Sequence, residues 1–293
     1  MKKIAVIGSG TMGNGIAHVF AQYGYKVSLI DLDSKALADA MATIQKNMDR
    51  QVKKGIFTEK EKEKFIGNIE TYLGISDGVT DVDLAIEAAT EDVATKLKLF
   101  EQLDSLCPEK TILATNTSSI SITKIAGSTQ RPEKVIGMHF MNPVPVMQLV
   151  EVIKGYATSQ ETSDFVMEIA KNLDKSPVEV NDYPGFVANR ILMPMINEAI
   201  YAVYEGVGGV EEIDTVMKLG MAHPMGPLQL ADFIGLDICH SILKVMLDGF
   251  GNPKFAPCPL LVNMVNAKHF GKKAGIGFYD YNGAEPVVAK GLI

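Results

Sequence analysis

The chain has no tryptophan and only three cysteines in 293 residues. Cys107, Cys239 and Cys258 lie far apart, with none of the short spacings that bind a metal or frame a disulfide scaffold. They read as reduced thiols, as expected in a cytoplasmic protein. No uninterrupted apolar run reaches membrane-spanning length, which argues against a transmembrane helix. Positive charge is in deficit, with 28 Lys and Arg against 35 Asp and Glu and a formal net charge of −7. That balance argues against a broad nucleic-acid surface. Met1-Lys2-Lys3 followed by apolar residues has the outline of a secretory leader. Gly8, Gly10, Gly13 and Gly15 interrupt it, and the segment reads better as a strand and a helix. What remains is ordinary globular composition, 47% apolar and 22% charged, long enough for more than one domain.

The richest local signal is at the N-terminus. Ile4 to Ile7 is a short apolar run suited to a buried parallel strand. Gly8-Ser9-Gly10-Thr11-Met12-Gly13 follows, and Asp31 comes eighteen residues after the last glycine. Gly8-Ser9-Gly10 makes a tight turn, and Gly10 lets a pyrophosphate approach backbone amides at a helix N-terminus. Gly13 allows the helix to pack closely on the strand. A second strand, Lys26 to Ile30, delivers the Asp31 carboxylate to a ribose diol, where it would repel a 2′-phosphate. A strand before, a helix after and an acid at this distance turn a weak glycine pattern into a specific one, and the reading is NAD rather than NADP.

Strand and helix then alternate. Ser34 is expected to cap a helix running to about Lys54, and Thr58-Glu59-Lys60-Glu61 is a capping box. Ile69 to Leu73, Leu84 to Ala88, Thr111 to Thr115, Val135 to Phe140, Val146 to Ile153 and Val178 to Val180 read as strands. Glu91 to Leu106 has helical spacing. The pattern predicts a Rossmann-type, doubly wound, mainly parallel α/β sheet. Near Asp182-Tyr183-Pro184-Gly185 it changes. Helices are expected at about 186–205, 210–219, 228–234, 236–249 and 259–270, separated by glycine and proline. The expected domains are 1–182 for dinucleotide binding and 183–293, smaller and all-helical, for substrate binding and dimerisation. Met193, Met195, Met217, Met221 and Met225 read as adaptable core packing, with an acyl-chain lining as the alternative. No internal repeat or low-complexity segment is present.

Open parallel sheets bind ligands beyond the carboxyl ends of their strands. Three polar groups are expected there: Asn116-Thr117-Ser118-Ser119, His139 and Glu151. Glu151 lies in the apolar run Leu149-Val150-Glu151-Val152, where an unpaired carboxylate is costly. His139 is a chemically sensible partner, because a carboxylate on one ring nitrogen fixes the tautomer and stabilises the imidazolium. On spacing alone, a core or capping histidine is an equally good reading.

These motifs, with Pro184-Gly185-Phe186-Val187-Ala188-Asn189-Arg190 and Gly271-Lys272-Lys273, run in an order that resembles the L-3-hydroxyacyl-CoA dehydrogenase family from Ile4 to about Tyr279. Within it the chain is most similar to the bacterial enzymes acting on 3-hydroxybutyryl-CoA. The resemblance implies interconversion of 3-hydroxyacyl-CoA and 3-ketoacyl-CoA with NAD. It puts the acid–base pair on His139 and Glu151 and substrate contacts on Ser118 and Asn189, so that the reactive site would lie between the domains. It also implies cofactor contacts at Gly8, Gly10, Thr11, Met12, Gly13, Asp31, Glu91, Lys96, Ser118, Asn142 and Lys273. From the residues alone, Asn189 is equally a helix-surface amide and Ser118 a turn residue. Glu91 and Lys96 are equally a helix-start acid and an exposed lysine, and Lys272-Lys273 a solvated pair.

Arg50, Lys53 and Lys54 form a basic cluster suited to phosphates, or simply complement a helix dipole. The resemblance places a CoA-binding lysine here, carried to Lys54 with Arg50 beside it. The implied partners are an acyl-CoA substrate and further copies of the chain, as a homodimer or higher homo-oligomer, with no metal, nucleic acid or membrane. Two rivals remain open: a β-hydroxyacid dehydrogenase acting on a free acid, and a non-catalytic NAD-binding structural protein.

Overall fold

The computed structural model describes residues 2–291. The chain divides into two units, Met1–Tyr183 and Pro184–Ile293. In the first, strand β1 (Lys3–Ile7) leads into helix α1 (Thr11–Gln22) and strand β2 (Lys26–Asp31). Helices α2 (Ser34–Lys53) and α3 (Glu59–Ile66) precede strands β3 (Ile69–Leu73) and β4 (Leu84–Glu87). Then come α4 (Val93–Leu106), β5 (Ile112–Thr115), α5 (Ile122–Ala126), β6 (Val135–Phe140), β7 (Leu149–Lys154), α6 (Gln160–Asn172) and β8 (Ser176–Asn181).

The eight strands form one sheet in the order β3-β2-β1-β4-β5-β6-β7-β8. The first six run parallel, as the alternation of strands and helices implies. β7 runs antiparallel to β6, and β8 is parallel to β7. Every residue of β4, β5 and β6 is buried, which explains their continuous apolar runs. β8 closes one edge, where Pro177 is tolerated. Helix α2 buries Leu37, Ala40, Ile44 and Met48, a single helical stripe. Leu37, Ile44 and Met48 each contribute roughly 1.5–3 kcal/mol when fully buried.

Several boundaries differ from expectation. Asp33, not Ser34, caps α2, its side chain accepting from the Lys35 amide. Asp92 caps α4, so Glu91 stands before the helix. The capping box at Thr58 and Glu61 is formed. Helix α6 was not read from the sequence, although Ser159 caps it and Val166, Ile169 and Ala170 line one face.

The second unit holds α7 (Ala188–Tyr204), α8 (Val210–Gly220), α9 (Pro227–Ile234), α10 (Leu236–Phe250) and α11 (Pro259–Asn266). It is not wholly helical: β9 (Tyr279–Asp280) and β10 (Val287–Val288) pair as a small antiparallel hairpin. Two buried carboxylates organise this unit. Asp214 accepts from the Leu228 and Gln229 amides in the first turn of α9 and from the Tyr279 hydroxyl. Asp232 accepts from the amides of Phe278 and Tyr279 and from the Tyr281 hydroxyl, and burial pushes its pKa up to about 6. Met193 is core, but Met221 is 61% exposed, so the core reading fails there. Among the described residues no helix is long and apolar enough to cross a membrane, and no cluster of three metal-binding side chains occurs. The three cysteines are buried and free.

Candidate active site

The glycine turn sits where β1 meets α1. Gly8 has φ +98°, and a Cβ there would lie 2.7 Å from the Ala88 carbonyl oxygen, so only glycine fits. A Cβ on Gly13 would run into the Gly8 carbonyl, whereas one on Gly10 would meet nothing within 4 Å. Gly10 is thus bare on its open side, and no side chain caps the N-terminus of α1. Open space beside uncapped helix amides suits a pyrophosphate. Asp31 ends β2. Its Oδ2 accepts from the amide and hydroxyl of Ser9, both at 2.7 Å, and its Oδ1 from the amides of Leu32 and Asp33 at 2.8 and 3.2 Å. Burial pushes the Asp31 carboxyl up, but these bonds outweigh it and hold the pKa below the ordinary value. The donor set therefore fits a dinucleotide: bare amides for the phosphates and a fixed carboxylate for a ribose.

Beside this turn lies a group that sequence reasoning missed. Glu87, at the carboxyl end of β4, is fully buried. Its Oε1 and Oε2 accept from Lys96 Nζ at 2.7 and 2.8 Å, and the Thr115 hydroxyl and Ala89 amide also donate to it. Lys96 is 1% exposed, which corrects the exposed-lysine reading. Its Nζ also lies 3.3 Å from Glu91 Oε2. Glu91 Oε1 in turn gathers the loop after β5, accepting from the hydroxyls of Thr117, Ser118 and Ser119 and from the Ser118 amide. Burial pushes Glu91 up, but Lys96 and these donors outweigh it and keep its pKa low. The only hint in the sequence was a carboxylate ending an apolar strand, the cue that drew attention to Glu151.

His139 and Glu151 form a cross-strand pair in the antiparallel register of β6 and β7. His139 Nδ1 is 2.9 Å from Glu151 Oε2, and the residues are 8% and 2% exposed. Glu151 is therefore not at a carboxyl strand end, as expected. It reaches His139 because β7 reverses direction. Asn116 Oδ1 accepts from the Phe140 amide at 2.9 Å, tying the loop after β5 to the end of β6. A buried carboxylate on one imidazole nitrogen prepares the ring for proton exchange at the other.

The remaining candidates are more scattered. Ser118 is half-buried in the Glu91-bound loop, and Asn142 is exposed just after β6. Asn189, in the first turn of α7, is 8% exposed, so it is not a surface amide. Lys273 is exposed and bonds Asp237 Oδ2 at 2.7 Å, while Lys272 lies 4.2 Å over the Phe233 ring. Both lysines are thus solvent-exposed, as the solvated-pair reading has it, though each also meets a surface partner. Arg50 and Lys54 are exposed at the end of α2, where Lys54 is the C-cap.

Residues 3–183 match the NAD-binding domain of 3-hydroxyacyl-CoA dehydrogenase, and residues 185–281 match its C-terminal domain. This chain belongs to the 3-hydroxyacyl-CoA dehydrogenase family. It is 53% identical over 281 residues to a probable 3-hydroxybutyryl-CoA dehydrogenase of Bacillus subtilis, covering 96% of this chain and 98% of the relative. It is 52% identical over 287 residues to a 3-hydroxybutyryl-CoA dehydrogenase of Bradyrhizobium diazoefficiens, covering 98% of each. Among solved structures, the (S)-3-hydroxybutyryl-CoA dehydrogenase of Ralstonia eutropha superposes with a TM-score of 0.93 at 45% identity, covering 97% of this chain and all of that one. As a 3-hydroxyacyl-CoA dehydrogenase the protein is an NAD-dependent oxidoreductase. The sheet is the Rossmann-type architecture expected from the sequence.

Proposed function

We propose that the protein interconverts short 3-hydroxyacyl-CoA and 3-ketoacyl-CoA thioesters, with 3-hydroxybutyryl-CoA and acetoacetyl-CoA as its principal pair. The carrying observation is the 2.9 Å contact between His139 Nδ1 and Glu151 Oε2 inside a dinucleotide-binding sheet. The short-chain preference rests on the names of the similar bacterial proteins.

In this reading His139 removes the hydroxyl proton in the alcohol direction and returns it in the ketone direction. Glu151 accepts the Nδ1 proton, so Nε2 is the atom that exchanges with substrate, and the carboxylate stabilises the imidazolium. NAD, when bound, would supply the hydride acceptor for the hydroxyl-bearing carbon. Ser118 and Asn189 donate to substrate oxygens and fix that carbon.

Gly8, Gly10, Thr11, Met12 and Gly13 would hold the pyrophosphate, and Asp31 would hold a ribose. The four bonds on Asp31 fix the carboxylate that would accept from a ribose diol. Glu91, Asn142 and Lys273 are further cofactor contacts, and Lys96 acts on the cofactor through Glu91. Arg50 and Lys54 bind the CoA phosphates.

Dinucleotide binding then belongs chiefly to 1–182, which also carries Ser118, Arg50 and Lys54 for the substrate, and further substrate binding with dimerisation to 183–293. Self-association is supported by exposed apolar residues in the second unit, including Ile191, Leu219 and Met221. A cytoplasmic location accords with the free thiols.

The test is NADH oxidation with acetoacetyl-CoA, repeated with longer 3-ketoacyl-CoAs, with free acetoacetate and with NADPH. The highest kcat/KM is expected for acetoacetyl-CoA with NADH. Activity on the free acid but not the thioester overturns the reading. Light scattering of the purified protein checks the oligomer.

A further inference from the structure

Residues 141–148 link β6, which carries His139, to β7, which carries Glu151. Val144 of this turn is 2% exposed and seats against α1, where a Cβ on Gly15 would lie 3.0 Å from Val144 Cβ. The turn folds on itself through the amides of Val146 and Met147, both donating to the Pro143 carbonyl at 3.0 Å. From outside it is gripped by one side chain. Lys175, in the connection between α6 and β8, donates from Nζ to the carbonyls of Val144 and Met147, each at 2.8 Å. Beside it the Ser176 amide donates to the Gln148 carbonyl at 2.9 Å.

Lys175 is 8% exposed and, among the described residues, makes no ion pair. Burial lowers its pKa, with Asp174 opposing. A buried ammonium bound to neutral carbonyls pays a desolvation cost that an apolar side chain of similar volume avoids. Its two bonds converge on the one turn that joins the proton-handling strands and carries Asn142. We propose that Lys175 is a positioning residue for the reaction, clamping the 141–148 turn so that His139, Glu151 and Asn142 are held in register. This rests on the proposed acid–base role of His139.

The test compares Lys175→Met, Lys175→Arg and His139→Ala with the unaltered enzyme. Saturating NADH and varied acetoacetyl-CoA separate kcat from KM, and hydrogen exchange reports on residues 141–148. Misplacement by about 1 Å can cost up to about 10²-fold in rate. Lys175→Met is therefore expected to lower kcat about tenfold or more, to change the acetoacetyl-CoA KM by less than about twofold, and to speed exchange in the turn. Lys175→Arg, which restores two N–H donors, is expected to recover most of the loss. Unchanged kcat in folded Lys175→Met, or a loss confined to KM, overturns the inference. An arginine variant no better than the methionine variant also overturns it. If Lys175→Met does not fold, Lys175→Gln decides by the same measurements, with a lowered kcat supporting and an unchanged kcat overturning it. Near-normal turnover in His139→Ala overturns the acid–base reading instead, and so separates the two failures.

Discussion

Glu87 and Glu151 are both carboxylates buried in strands of one sheet, 0% and 2% exposed, yet their surroundings differ in kind. Glu87 meets a lysine across both oxygens and two further donors, a threonine hydroxyl and a backbone amide. These bonds make the pair a fixed anchor for the loops around it. Glu151 meets a histidine, the side chain whose ordinary pKa lies nearest neutrality. In the proposed function one carboxylate thus serves architecture and the other proton transfer, and the identity of the partner decides which.

Removing the titratable partner should have the largest effect. His139→Ala is expected to lower turnover with acetoacetyl-CoA by about 10²–10⁴-fold while NADH binding, read by fluorescence titration, stays near normal. Glu151→Gln should lose less at the same step. Turnover close to that of the unaltered enzyme in His139→Ala would erase the proposed difference between the two carboxylates.

Lys96→Met should act on stability instead. Leaving Glu87 buried without its cation is expected to cost about 3–5 kcal/mol in denaturant unfolding. Adding Glu87→Gln should restore much of the loss, since the uncompensated charge is then gone. A Lys96→Met protein as stable as the original would show that the anchor is dispensable.

The exposed Arg50 and Lys54 are expected to bear on binding alone. Their double alanine variant should raise the acetoacetyl-CoA KM far more than it lowers kcat, because the CoA phosphates lie remote from the reacting carbon. The effect should shrink in high salt. An unchanged KM at low salt would move the CoA site elsewhere.

Asp31 should give the smallest stability effect and a clear specificity effect. Asp31→Asn is expected to narrow the preference for NADH over NADPH, mainly by weakening NADH binding; an undiminished preference counts against its role. Its folded pKa lies below the ordinary value. Its contribution to stability is therefore full above the unfolded value, near pH 4, and disappears as pH falls through the folded one. The melting-temperature gap between the original protein and Asp31→Asn should close in strong acid and persist at neutral pH. A gap that widens on acidification would contradict that sign.

The parallel half of the sheet was legible because its strands are short apolar runs bounded by glycine and by caps. The nucleotide fingerprint was legible because it is local, with glycines, strand, helix and acid inside one βαβ unit. The reversal of β7 was not. An apolar strand carries no mark of its direction, so Glu151 was expected at a carboxyl strand end, even though His139 was already read as its chemically sensible partner. Lys96 and Lys175 were also illegible in their true settings. A lysine reads as surface until the fold supplies carboxylates or carbonyls to bury it against. Helix α6 was overlooked because its stripe is only half apolar, Val166, Ile169 and Ala170 among polar neighbours. Asn189 looked like a helix-surface amide, since one-dimensional spacing does not say which face of a short first turn is covered.

The pairing of His139 with Glu151 is a rung of a β-ladder. Its length is therefore set first by strand spacing, and the proposed clamp on the turn between the two residues acts by keeping that register. Opposite side chains in an antiparallel pair start about 4.5–5.5 Å apart at Cβ whatever the connecting residues are. Substitutions that leave the turn's backbone bonds intact should then be tolerated without lengthening the contact. A single-residue deletion inside either strand should not, because a one-residue slip turns the side chain to the opposite face. Register, rather than sequence distance, is the coordinate along which this dyad is inherited.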